Sequence, residues 1–318
     1  MKIERLNLNR RSMLKTMTAF GVGSTLGLTA CSKDESNAPI QPLKGAIGKD
    51  GNEIIPWTNW SGNQFSTPNE RLVPKSTDEL SSMIKSTKQH IRLVGAGHSF
   101  SPLVPTNETQ MSLAYFYGIT NIDKEKKQFD VASNTFLAGV GEELWQNGMS
   151  LENMPDINTQ TFGGAIATST HGTGINYGSM SSTVKKIVMV NGLGEEISCS
   201  ENENSEIFNA ARTNIGTLGA VTNLRIQAQD KHYLKETSWM MDLEEGLAKA
   251  EQLRDEHRHF EMYALPHADY ILGITIDKIE RNQLLSGTVN TGDAYETFKT
   301  MSKVIDTLPY LRSFIVNT

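Results

Sequence analysis

Arg92-Leu93-Val94-Gly95-Ala96-Gly97-His98-Ser99-Phe100-Ser101-Pro102-Leu103 passes from apolar residues into glycines and then into polar residues. Ile91 to Val94 reads as a short buried strand that runs directly into a turn built on Gly95 and Gly97. Glycines there let backbone N–H groups face an anion and approach it without a Cβ in the way. Strand, glycine turn and polar residues together make a phosphate-cradle pattern. Alone the pattern is weak, because a Gly-x-Gly turn after a strand is most often only a turn. The Rossmann fingerprint is missing: no third glycine follows, and no acidic residue about twenty positions later contacts a ribose. NAD is therefore not the expected cofactor.

A second segment, Asp156-Ile157-Asn158-Thr159-Gln160-Thr161-Phe162-Gly163-Gly164-Ala165-Ile166-Ala167-Thr168-Ser169-Thr170-His171-Gly172-Thr173-Gly174, is dense in small residues and hydroxyls. Such a stretch buries little side chain of its own. It suits a close, hydrogen-bonding wall against a flat, polyoxygenated ligand such as a dinucleotide. A flexible Gly/Thr-rich loop is the other reading, against which Ala165-Ile166-Ala167 argues for a buried, ordered path.

Taken together, Arg92 to Leu103, Gln160 to Thr168 and Thr170 to Gly174 resemble the FAD domain of the aldonolactone and alditol oxidases, the L-gulonolactone oxidase-like group of the vanillyl-alcohol oxidase / p-cresol methylhydroxylase superfamily. Trp60-Ser61-Gly62-Asn63-Gln64 resembles that group's opening segment, and Asn214-Ile215-Gly216-Thr217-Leu218-Gly219-Ala220-Val221-Thr222 the strand entry that closes its flavin domain. The likeness runs from about Trp57 to beyond Pro266. It implies an α+β fold: a two-subdomain PCMH-type FAD-binding domain over 56–231, then an incomplete α+β substrate, or cap, domain over 232–318. It also implies FAD bonded covalently through its 8α-methyl to His98, a step open to a neutral imidazole because that ring is nucleophilic near pH 7. The positions matching the family's pyrophosphate turn are Gly95, Ala96, Gly97 and Ser99. Those matching its second flavin wall are Thr161, Gly164, Thr168, Thr170, His171, Gly172 and Thr173, and Gly219 and Val221 match a third contact region. A plainer role for His98 is a turn histidine bonded to backbone. His171 has two readings, contact with the flavin or its surroundings, or satisfaction of buried backbone groups.

The reaction the resemblance implies is oxidation of a CH–OH group of an aldonolactone or alditol, with hydride passing to flavin N5 and a base taking the hydroxyl proton. Oxygen or another acceptor then reoxidises the flavin. The alternatives are a dehydrogenase using a non-oxygen acceptor, an inactive FAD-binding fragment, and a lipid-anchored carbohydrate-binding protein without redox chemistry. Members of the group continue further and return to the flavin with a lysine-bearing C-terminal segment. Here the sequence stops at Thr318 inside the apparent cap, and Leu308-Pro309-Tyr310-Leu311 with Phe314-Ile315-Val316 reads as an element awaiting partners. A truncated product is expected, with the catalytic base beyond the C-terminus and unassigned.

The N-terminus carries its own signals. Arg10-Arg11-Ser12-Met13-Leu14-Lys15 opens a weakly apolar run to Ala30 that is shorter than the roughly 17–25 residues of a spanning helix. It resembles a twin-arginine export signal, and Leu28-Thr29-Ala30-Cys31 resembles a lipobox, making Cys31 the expected lipidation site. The protein is expected to be exported and lipid-anchored on the periplasmic or extracellular side of a bacterial membrane. The only other cysteine is Cys199, so a lipidated Cys31 leaves no intrachain disulfide. Residues 32–55 are polar, without apolar periodicity, and read as a tether. The 318 residues allow more than one domain, and 38% hydrophobic residues with a mean hydropathy of -0.37 describe an ordinary globular body. A net charge of -6 with scattered basic residues offers nucleic acid no concentrated positive face.

Between the motifs the pattern predicts a helix over 77–88 behind a Ser76-Thr77-Asp78-Glu79 cap, and a hairpin of Val184 to Val190 and Glu196 to Cys199 around Asn191-Gly192-Leu193-Gly194. A short helix is expected from Ser205, an edge strand over Ala220 to Ala228, a helix over Leu243 to Glu256, and strands near His259 to Leu265 and Tyr270 to Ile276. His257 and His259 have no Cys or carboxylate at a recognisable zinc spacing, so no metal is expected.

Overall fold

The computed structural model describes residues 46–47 and 53–280. The expected export signal, Cys31, most of the tether and the apolar end at 308–316 lie outside the described residues. Within them the chain builds three sheets of three or more strands, beside three two-stranded pairings.

The first sheet is parallel. Its strands are β1 (Glu70–Leu72), β2 (Ile91–Val94) and β3 (Thr109–Ser112), in the order β1-β3-β2. Between β1 and β2 runs helix α1 (Thr77–Ser86), started where the Ser76 hydroxyl accepts from the Glu79 N–H. The helix stops two residues short of expectation. Both the N–H and the hydroxyl of Thr87 turn back onto the Met83 carbonyl, which closes the last turn. Leu80 of α1 is buried with Met111, Leu113, Val190 and Ala220 in a small core.

The second sheet is antiparallel: β4 (Ile119–Asp123), β5 (Gln128–Ala132), β6 (Val184–Val190), β7 (Glu196–Ser200) and β8 (Ala220–Gln227), ordered β7-β6-β8-β5-β4. The expected β6–β7 hairpin forms, and Asn191 holds its turn by accepting from the N–H groups of Leu193 and Glu195 through one side-chain oxygen. β8 is not the edge strand its alternation suggested; it lies in the middle, paired with β6 and β5. Its alternating burial comes from one face on the core and one polar face, where Arg225 donates twice to Asp130 at 2.7 and 2.8 Å. On the core face, Phe129, Ile187, Leu224 and Cys199 pack against Leu144, Phe162 and Phe208. Those last three come from helices α2 (Gly141–Gln146), α3 (Phe162–Ala167) and α4 (Ser205–Ala211). Phe162 meets Phe129 edge-on, with ring centres 6.1 Å apart.

The third sheet is β9 (Tyr233–Asp242), β10 (His259–Ala264) and β11 (Tyr270–Ile279), antiparallel and ordered β9-β11-β10. Helix α5 (Leu243–Glu256) leaves β9 through Asp242, whose carboxylate accepts from the N–H groups of Glu244 and Glu245. Among the described residues no helix is long and apolar enough to cross a membrane.

Candidate functional site

A cleft of about 270 Å³ opens where the first and second sheets meet. Its walls are the end of β2 with the turn through Ser99, the chain leaving β5, the segment around α3, and the approach to β8. The segments quoted from the sequence are thus brought together, although they are dispersed between residues 91 and 221. Gly95, Ala96, Gly97, His98, Ser99, Thr161, Gly164, Thr168, Thr170, Gly219 and Val221 all line it.

The glycine turn is shaped by close approach. A Cβ on Gly95 would stand 2.4 Å from the Thr161 hydroxyl oxygen, so the two walls can meet only at a glycine. Gly97 sits at φ +71, a left-handed conformation that L side chains rarely adopt. The hairpin strands Trp57–Thr58 and Phe65–Ser66 support the turn from outside. Their loop donates to it from the Trp60 N–H to the Gly97 carbonyl at 2.8 Å, and from the Asn59 side chain to the Ser99 carbonyl at 2.9 Å.

His98 is held at both faces of its role. Its ring stacks on Trp60, with centres 5.4 Å apart, and its Nε2 lies 2.9 Å from the Thr159 hydroxyl. Among the described residues no hydrogen bond is made to its Nδ1. On the opposite wall Ile215 adopts φ +46, a strained value for a β-branched residue. It is fixed there by its own N–H on the Ala167 carbonyl and by the Gly216 N–H donating to the Asn214 side chain.

His171, Gly172 and Thr173 lie outside the lining. After Thr170, whose hydroxyl donates to Gln160, the chain turns away from the cleft. His171 is exposed, with Nδ1 2.9 Å from the Gly172 carbonyl. A Cβ on Gly172 would meet the Met154 carbonyl at 2.2 Å. The Thr173 carbonyl accepts from Asn153 and from His259 of β10.

This second contact belongs to a cluster joining the third sheet to the loop. Arg258 donates to the Glu152 carbonyl, the Tyr177 hydroxyl and His259 Nε2, and its guanidinium lies 4.2 Å above the Tyr177 ring. His259 stacks on Tyr177 and is 7% exposed. Burial, and after it the Arg258 charge, push His259 below the ordinary histidine value; the Thr173 carbonyl and the carboxylates of Glu261 and Asp277 act the other way without prevailing.

Several lining residues lie outside the segments singled out in the sequence: Val104, Leu113, Ser133 and Asn134. Among the described residues the cleft lining has no carboxylate and one arginine, Arg92. Hydroxyls, glycine backbone and an Ala/Leu/Val floor make a site for a long ligand with an anionic centre and an apolar ring. FAD fits that description.

Residues 68–200 match the family model described as "FAD binding domain". Among curated proteins the chain is similar to L-gulono-1,4-lactone dehydrogenase of Mycobacterium tuberculosis, 29% identical over 225 residues, covering 70% of this chain and 52% of the relative. It is similar to L-gulonolactone oxidase of Bos taurus at 27% identity (70% and 51% covered), and to D-arabinono-1,4-lactone oxidase of Candida glabrata at 28% (68% and 43%). The chain spans about half the length of the first of these relatives. In fold it is similar to cholesterol oxidase from Brevibacterium sterolicum, with a TM-score of 0.72 at 17% identity over 82% of this chain and 56% of that one.

Proposed function

We propose, starting from the match of residues 68–200 to the FAD-binding domain model, that the protein is a flavin-dependent oxidoreductase acting on a CH–OH group of a sugar lactone or related polyol. The observation that carries the reading is the cleft itself, in which the Gly95–Ser99 turn, the α3 segment and the approach to β8 converge, with no acidic side chain among the described residues that line it. The names of the relatives, lactone oxidases and lactone dehydrogenases, supply the substrate class.

In this reading Gly95, Ala96, Gly97 and Ser99 turn N–H groups toward the pyrophosphate, while Thr161, Gly164, Thr168 and Thr170 form the opposing wall. Bound there, FAD supplies a hydride acceptor at N5 and passes electrons on to oxygen or another acceptor. His98 is the residue for the covalent link. Thr159 occupies Nε2 and Trp60 fixes the ring plane, which supports Nδ1 as the bonding atom. His171, Gly172 and Thr173 are then support for the wall. Export and lipid attachment at Cys31 belong to the same proposal, on the strength of the Arg10 to Lys15 and Leu28 to Cys31 motifs.

Anaerobic mixing of the purified yellow protein with a panel of aldonolactones and alditols tests the substrate class. Bleaching of the flavin band by a member of the panel is the expected result. A flavin that stays oxidised throughout the panel, yet is bleached by a non-sugar alcohol, overturns the assignment.

A further inference from the structure

Two stretches that meet beside His98 share an unusual composition. No Asp, Glu, Lys or Arg occurs from Ile54 to Asn69 or from Leu93 to Asn107, in a chain 21% of whose residues are charged. The fold pairs the two. The Trp60 N–H donates to the Gly97 carbonyl, the Asn59 side chain to the Ser99 carbonyl, and the side chains of Asn63 and Gln64 both to the Phe100 carbonyl at 3.3 Å. Asn59 donates further to Ser61 and Asn63, and Ser61 to Asn63. The polar side chains of the loop are thus spent on one another and on the backbone of the turn. The rings do the opposite: Trp60 is 66% exposed, Phe65 76% and Phe100 63%, with Ile55 at the start of the hairpin at 62%. None of these four lines the cleft, so they are not part of the cofactor wall.

Single exposed apolar residues are ordinary, but three large rings on adjoining loops, with no charged residue in either stretch, mark an interaction surface. What it meets follows from the chain that leads to it. Trp57 stands 26 residues after Cys31, and a polar tether of that length reaches roughly 25–30 Å. Lipid on Cys31 therefore keeps this hairpin close to the bilayer. Tryptophan and other aromatic rings on an uncharged surface suit the headgroup layer, where an apolar body and a polar edge are both accommodated. We propose that the face formed by Trp60, Phe65 and Phe100 docks on a phospholipid bilayer, its rings entering the headgroup region while the lipid on Cys31 retains the protein there. This rests on the lipid attachment put forward above and not on the substrate reading. Lipid and rings have separate tasks: the first supplies retention, and the second fixes which side of the protein faces the membrane. Because Trp60 stacks on His98, the docked orientation brings the His98 end of the cleft to the bilayer.

The test uses the full chain in phosphatidylcholine vesicles, with mass spectrometry reading the lipid on Cys31. With Cys31 lipidated and Cys199 buried, an introduced cysteine is the sole exposed thiol. A fluorophore is attached through Ser101→Cys, next to Phe100, and separately through Glu251→Cys on α5, both exposed positions. The inference expects spin-labelled lipid to quench the label at position 101 and not the label at 251. It expects Phe65→Ser/Phe100→Ser to abolish that quenching while the protein stays on the vesicles. Both rings are exposed, so this variant should keep the wild-type Tm and flavin content, which separates lost docking from lost folding. Equal quenching at the two positions, or quenching that survives the double substitution, overturns the inference. A concentration-dependent dimer in vesicle-free solution that Phe65→Ser/Phe100→Ser dissolves makes the occupant a second copy, and overturns it as well. Lipid on Cys31 with an unquenched label at position 101 overturns this inference alone, whereas Cys31 without lipid overturns the anchoring reading and this inference with it.

Discussion

Gly95 shows how little room the wall of the cleft leaves. With 2.4 Å between an added Cβ and the Thr161 hydroxyl oxygen, either the turn or α3 has to move. Overpacking of this kind costs about 1–3 kcal/mol. In a His98→Ala background, where FAD can exchange, Gly95→Ala should weaken FAD binding by about tenfold or more, read by flavin fluorescence titration, and Gly95→Ala/Thr161→Ala should recover part of the loss. Full affinity in the single variant, or no recovery in the double, would show that the two walls do not meet as described. The glycine was readable from its place after a strand, but the reason for it was not, since Thr161 comes from a distant segment. The same holds for the Thr159 hydroxyl on His98, a contact across 61 residues of chain.

Elements with a strong local pattern were legible: Ile91–Val94, the β6–β7 hairpin and α5 stand where periodicity and capping put them. The position of β8 was not, because alternation reports which faces are wet and says nothing about how many neighbours a strand has. β9 gave no signal either. It is exposed along most of its length and takes its order from pairing with β11 from Tyr233 to Asp242. The contact between the third sheet and the Gly172–Tyr177 loop runs through β10, and it has a pH signature. Burial holds His259 below the ordinary histidine value of 6.5, so as pH falls the unfolded chain takes up this proton first. The ring's contribution is therefore complete above that value and is lost as pH drops through it toward the lower folded value. His232, also pushed down chiefly by burial, acts with the same sign in the same window. Thermal melts from about pH 7.5 to about pH 5.5 should show Tm falling by a few degrees, with a shallower fall in His259→Gln. A Tm that rises toward acid, or an unchanged slope in the variant, would contradict a buried neutral His259.

At the scale of the whole molecule, the first two sheets enclose the cleft and the third docks through Arg258, Tyr177 and His259. A division near residue 231 into a flavin-binding part and the start of a substrate-facing part is our proposal from the order of the elements. It follows the bounds that the family resemblance implies, 56–231 and 232–318. The sequence could supply the identity of the cleft because its walls are motif-dense. It assigned no catalytic base. What the account rests on is flavin held by this fold through His98, and acid precipitation of the purified yellow protein reads it most directly. The account predicts flavin in the washed pellet for the wild type and in the supernatant for His98→Ala. Wild-type flavin released to the supernatant would contradict the bond to His98, and well-folded protein with no flavin in either fraction would contradict the account as a whole.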